Sequence, residues 1–277
     1  MGLRIATNIA SQSVQKNLKE VSNAGNSELE RLSSGKRITK AADDAAGLAI
    51  ATNLEAQTRG LRQATRNAND GVSLVQTAEG GLNETSNILV RLRELTIQAA
   101  SDTVGDKERG FLDKEYQQLM KEVDRISDST AFNGTNLLNG EGKGQMDFQV
   151  GSFAGEQNKI TFDSSETNSS SENIGVGGTT IASKDDALSS IASVDAAIEK
   201  VSSQRSNLGA IQSRLQSTIK NLETQTINQD SARSVIQDVD VADASAKLAS
   251  NQVVKNAAIS TLSQANGIPN SALRLIS

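Results

Sequence analysis

The 277 residues carry a formal net charge of -5 with no Cys and no His, and only 2% are aromatic. Without thiols or imidazoles, disulfides, Ser-His-Asp or Cys-His catalysis and the usual zinc sets are excluded, and a carboxylate-only Ca or Mg site is the metal chemistry left open. The acidic balance and missing aromatic platforms exclude a nucleic-acid face, and no stretch approaches the ~18 apolar residues that span a bilayer.

Pro occurs once, at Pro269, so little in the chain forbids helix. Val14, Leu18, Val21, Leu29 and Leu32 predict a first helix from near Ile5, ended by Ser33-Ser34-Gly35. After a short basic link, Asp43 or Asp44 can cap a second helix. Its seam runs Gly47, Ile50, Leu54, Gln57, Leu61, Ala64, Ala68, Gly71, Val75, Ala78, Leu82, Thr85, Leu89, Leu92, Thr96, Ala99. Steps of three and four kept over about seven heptads predict one helix roughly 80 Å long, a rod with a narrow sticky edge. Leu112, Tyr116, Leu119, Val123 and Ile126 predict a third helix able to fold back on it.

Phe132-Asn133-Gly134 and Asn139-Gly140 are turn signals, and Met146, Phe148, Val150, Ile160 and Phe162 alternate with polar residues as a small hairpin does. Residues 163–183 are Ser- and Gly-rich and read as a short variable surface loop. Ile191, Val194, Ile198, Val201, Leu208, Leu215, Ile219 and Leu222 restore the helical seam and can pair with the long helix. The last segment carries two apolar stripes: Val239, Ala242, Ala246, Ala249, Val253 and Ala257 on one face, and Val241, Leu248, Ile259 and Leu262 on another. Two faces need two partners, and one chain supplies only the N-terminal helix, so a neighbouring subunit is expected on the other. The candidate polymerisation residues are Ile5, Ile9, Val14, Leu18 and Val21 at one end and Val241, Leu248, Ile259, Leu262, Leu273 and Leu275 at the other. The expected fold is mainly α: a long antiparallel coiled-coil bundle formed by the N- and C-terminal segments, with a small β-hairpin region in the middle.

Leu32-Ser33-Ser34-Gly35-Lys36-Arg37-Ile38 followed by Ala42-Asp43-Asp44-Ala45-Ala46-Gly47-Leu48-Ala49-Ile50 resembles the N-terminal signature of bacterial flagellin. So do Arg66-Asn67-Ala68-Asn69-Asp70-Gly71 and Arg91-Leu92-Arg93-Glu94-Leu95. Leu208-Gly209-Ala210-Ile211-Gln212-Ser213-Arg214-Leu215 and Gln264-Ala265-Asn266-Gly267-Ile268-Pro269 are similar to its C-terminal signature. The resemblance implies a filament subunit whose ends, 1–42 and 235–277, form an inner-tube domain. Residues 43–162 and 184–234 would then form an outer-tube coiled coil. It also implies export through the flagellar type III apparatus to the cell exterior, which offsets the missing apolar core of a secretory signal at the N-terminus. The implied partners are further copies or sister flagellins, an export chaperone, and the filament cap and hook-associated proteins. No cofactor is implied. A junction or cap-type adaptor of the same organelle is the alternative.

Arg91 and Leu95 match positions through which many flagellins meet an animal innate immune receptor. The competing reading packs Leu95 inside the bundle and pairs Arg91 with an acidic neighbour, Lys121 standing where the family has its acidic partner. Lys36 after Gly35 fits a linker rather than a phosphate loop, because Arg37 replaces the required Ser or Thr. The small seam residues Ala64, Ala68, Gly71 and Ala78 suggest helices that slide between registers in a switching filament.

Overall fold

In this computed structural model the described residues are 7–273, side chains included up to 267. Six α-helices dominate, and each start has a local cause. Helix α1 (Ile9–Ser34) begins at Asn8, whose side chain accepts from the Ser11 amide at 3.0 Å, and stops at Gly35 in the left-handed conformation. Helix α2 (Ala45–Ala100) is capped by Asp44, whose Oδ1 accepts from the Gly47 amide at 2.8 Å. Asp43 does a different job: its Oδ2 gathers the Thr39 and Lys40 amides and the Thr39 hydroxyl into the preceding turn. Those donors, the Lys40 amide foremost, hold the Asp43 carboxyl below its usual range.

Helix α3 (Asp106–Ser129) leads into the two-residue strands β1 (Ala131–Phe132) and β2 (Thr135–Asn136), then into the antiparallel hairpin β3 (Gln145–Gln149) and β4 (Lys159–Asp163). A single helical turn, α4 (Ser171–Ile174), precedes α5 (Lys184–Gln237) and α6 (Val241–Leu273). Ser183 and Asp186 cap α5 reciprocally, and Asp240 Oδ1 accepts the Ala242 and Asp243 amides at the head of α6. The chain forms two compact units: a terminal unit of Met1–Ala56 with Asn228–Ser277, and a central unit of Gln57–Ile227.

In the central unit every predicted seam position of α2 from Leu61 to Ala99 is buried. The facing seam is Val194, Val201, Leu208, Leu215 and Leu222 of α5, spaced seven apart and all buried. The two run antiparallel, since Arg93 meets Asp195 at 2.6 Å at one end and Leu61 and Ala64 cluster with Leu222 at the other. Helix α3 folds back along α2 as expected. Its Arg109 donates from Nε to the Ala99 carbonyl at 2.9 Å and from Nη2 to the Ser101 carbonyl at 3.1 Å, while Nη1 pairs with Asp106. One buried guanidinium thereby satisfies acceptors that the end of α2 would otherwise leave open.

Several small residues of α2 are seats for other parts of the same chain. A Cβ on Gly71 would stand 3.2 Å from the Phe148 ring, one on Gly60 3.2 Å from Ser152, and one on Gly81 2.6 Å from Leu138 and 2.7 Å from the Thr130 hydroxyl. Hairpin β3–β4 pairs Met146 with Phe162 and Phe148 with Ile160, and Phe162 and Ile160 are buried.

Residues 163–183 are also not the surface loop that their polarity predicts. Ile174, Val176 and Ile181 are buried in the main core, as are the side chains of Ser164, Thr167, Ser169 and Ser171. Most of these hydroxyls have hydrogen-bond partners. Thr167 donates to the Leu137 carbonyl and Ser171 to Asp124, while Asp113 accepts from the Thr180 hydroxyl and the Ile181 amide. Buried Gln204 of α5 clamps the segment from the other side, donating to the Glu166 and Asn168 carbonyls.

Two stability tests follow from this packing. Gly81→Ala should destabilise the chain by about 1–3 kcal/mol through overpacking against Leu138 and Thr130. Gly80→Ala, whose Cβ meets nothing within 4 Å, should stabilise it by about 0.5–1 kcal/mol. Urea titrations followed by circular dichroism give both signs. Arg109→Ala should cost about 1.5–3 kcal/mol in the same assay, and Arg109→Lys should restore little of it, because an ammonium cannot reproduce the fork.

Candidate assembly surface

The terminal unit is built from α1 and α6 running antiparallel. Asn8 Nδ2 donates to the Ala265 carbonyl at 2.8 Å and Ser11 to Asn266 Oδ1 at 2.7 Å, while Gly25 faces Asn251 further along. At the opposite end the two connections clasp each other by backbone bonds. Arg37 N donates to the Gln237 carbonyl at 2.7 Å, Val239 N to Gly35 at 3.1 Å, and the Arg37 guanidinium to the Ile236 carbonyl. The seam between the helices reads Ser11, Val14, Leu18, Val21, Gly25, Glu28, Leu32 on α1 and Ala244, Leu248, Asn251, Lys255, Ala258, Leu262, Ala265 on α6, both in steps of three and four.

This seam is thin. Among the described residues only Ser11, Ala244 and Ala265 of it are buried, and a cleft of about 110 Å³ opens beside Gly25, lined by Val21, Leu29 and Leu248. Two helices joined by such a contact have little core of their own. At about 100° per residue, Ala242, Ala246, Ala249, Val253 and Ala257 lie roughly opposite the seam, and all five are exposed, Val253 at 69%. From 241 to 267 the helix carries only Asp243, Lys247 and Lys255 as charges, and the first two pair at 2.6 Å, raising the Lys247 pKa through that hydrogen bond. Helix α6 therefore presents an apolar, small-residue face to solvent. The outward side of α1 is polar, with Lys16, Lys19 and Glu20.

The predicted polymerisation residues divide accordingly. Val14, Leu18, Val21, Leu248 and Leu262 are half-buried in the α1–α6 seam, so they hold the chain's two ends to each other instead of offering a free face. Ile9, Val241 and Ile259 are exposed, at 58%, 61% and 49%. Ile5 and Leu275 lie outside the described residues, as does the side chain of Leu273. Val254 and Val235 are exposed as well, and the uncharged run 248–254 of α6 is the sequence signal for the first.

Arg91 and Leu95 do not form one surface. Leu95 is 1% exposed, packed in the core, because it falls on the side of α2 that α3 covers. Arg91 is half exposed and bridges Glu94 and Glu115, both at 2.9 Å, with its pKa raised by those two partners in that order. The acidic partner on the following helix is thus Glu115, not the position of Lys121.

Among the described residues no cluster of acidic groups can hold a metal ion, and no helix is long and apolar enough to cross a membrane. Residues 5–143 match the bacterial flagellin N-terminal helical region and residues 191–276 the bacterial flagellin C-terminal helical region. The chain is 39% identical to the flagellin of Halalkalibacterium halodurans over 97% of this chain and 98% of that one. It is 36% identical to the flagellin of Bacillus subtilis over 99% and 100%. The crystal structure of Bacillus cereus flagellin is similar with a TM-score of 0.51 at 29% identity, over 61% of this chain and 94% of that one. A putative flagellar hook-associated protein from Vibrio parahaemolyticus shares the fold alone, with a TM-score of 0.58 at 15% identity over 70% and 99%. With both terminal regions matched and the relatives covered nearly end to end, this chain belongs to the bacterial flagellin family.

Proposed function

We propose that this chain is a structural subunit that polymerises into an extracellular bacterial flagellar filament used for swimming, with its terminal unit in the inner tube and its central unit in the outer one. The observation that carries the reading is the bare apolar face of α6, opposite the seam it shares with α1. Folding of one chain covers the seam; covering the second face takes another molecule, and a contact between unlike surfaces propagates as a helical filament when it does not close. The names of its relatives, which include a flagellar filament core protein of Brachyspira hyodysenteriae, support the same role. On this reading its partners are other copies of itself or sister flagellins, an export chaperone, and cap and hook-associated proteins. The adaptor alternative gains nothing from the hook-associated structural neighbour, whose 15% identity carries the fold and not the role.

Val253→Glu provides the test. Val253 is 69% exposed, so the substitution leaves the monomer's helicity unchanged, while an unpaired carboxylate at a dry subunit contact is costly. Seeded polymerisation followed by light scattering and electron microscopy should show the critical concentration rising at least roughly tenfold, about 1.4 kcal/mol or more. Filaments from the wild-type chain with an unchanged critical concentration in the variant would remove α6 as the assembly face. A wild-type chain that stayed dispersed on filament seeds would overturn the filament reading itself.

A further inference from the structure

The sequence has three Asn-Gly steps: Asn133-Gly134, Asn139-Gly140 and Asn266-Gly267. A glycine leaves its own amide nitrogen unshielded by a side chain, which makes these the places where a main-chain nitrogen can reach the preceding carboxamide. The structure separates the three. Asn266 lies within α6, and its Oδ1 accepts from Ser11 at 2.7 Å. Asn139 is half-buried, and its Oδ1 accepts from the Glu141 amide at 3.0 Å. Asn133 is exposed, and among the described residues its carboxamide has no hydrogen-bond partner. It occupies the tip of the β1–β2 hairpin, where Phe132 pairs with Thr135 across a two-residue loop with φ of 49° at Asn133 and 74° at Gly134. Gly134 has no neighbour within 4 Å of where a Cβ would stand.

We propose that Asn133 is a site of spontaneous covalent change, converting to aspartate and isoaspartate while Asn139 and Asn266 stay protected. Gly134 N attacks Asn133 Cγ, forming the N–Cγ bond of a cyclic imide. The Cγ–Nδ2 bond breaks, and Nδ2 leaves as ammonia with the proton given up by the Gly134 nitrogen. Water then adds hydroxide to one imide carbonyl and a proton to the nitrogen. Opening at one carbonyl gives aspartate; opening at the other gives isoaspartate, which lengthens the main chain by one carbon within a loop whose two-residue length sets the hairpin's twist and register. The β1–β2 pair stands directly before Leu137 and Leu138, both fully buried, so the change falls beside the core at the end of α3.

The folded full-length chain, incubated in warm, mildly alkaline buffer, would be digested and mapped by mass spectrometry for all three sites. The same chain in urea would report their intrinsic rates, and isoaspartyl methyltransferase labelling would identify the rearranged product. Asn133 should be lost at least roughly fivefold faster than Asn139 and Asn266 in the folded chain, the factor to which one net hydrogen bond of about 1 kcal/mol converts, and the three rates should converge in urea. Asn133→Gln should abolish methyl labelling of that peptide without altering the other two. Equal or faster loss at Asn139 or Asn266 in the folded chain would overturn the assignment. So would an intact Asn133 under conditions that convert it in urea.

Discussion

The buried seam of α2 from Leu61 to Ala99 is the interaction on which the central unit depends. Small residues in and beside it decide what can rest against the helix: Gly71 in the seam receives the Phe148 ring, while Gly60 and Gly81 beside it receive the hairpin loop at Ser152 and the Leu138 and Thr130 side chains. Its large members, Leu82, Leu89 and Leu92, meet the seven-residue repeat of α5 and the apolar side of α3 in one continuous core. Because bulk and gaps alternate along one helix, a long element is packed by several short ones without needing aromatic mass. That explains how a chain with so few aromatic residues still buries Tyr116 and Phe162 completely.

The two units differ in how they use the same heptad logic. In the central unit the seams are aliphatic and closed from both sides. In the terminal unit the α6 seam carries Asn251 and Lys255 between Leu248 and Leu262, at positions where a self-sufficient coiled coil would place Leu or Ile, and a second apolar stripe sits on the opposite face. Stability that the terminal unit lacks alone is therefore available from association, which is the arrangement expected of a subunit whose ordered ends and polymer contacts form together.

Much of this was legible in the sequence, for a physical reason. Helical period is set by backbone geometry, so the α2 seam from Leu61 onward could be read residue by residue, and Asp44 stands where a cap must; on α3 the expected Leu112, Leu119 and Ile126 are only half-buried, while Met120 and Ser127 are buried beside Tyr116 and Val123. At the start of α2 the reading slips: Ile50 is 53% exposed while Ala51 and Thr58 are buried. Residues 163–183 were misread because composition reports polarity and not partners. Ser164, Thr167 and Ser171 are buried at no penalty of the usual size once carbonyls and Asp124 accept their hydrogen bonds, and those acceptors are tens of residues away in sequence. Arg109 was invisible for the same reason, since its partners are backbone carbonyls of another helix. On α6 both apolar stripes were visible, but which one faces α1 depends on the partner's register, which no single helix encodes.

The bond between Asn8 and Ala265 joins residues 257 positions apart. Closing a loop of that span carries an entropic cost that local contacts do not, and the helix whose seam α1 shares, α6, comes last in the chain. In the order of synthesis the central unit is therefore complete before α6 exists, and the seam that joins α1 to α6 is the last whose two sides are both present. The first helix to emerge from synthesis thus waits for the last one before its seam can close.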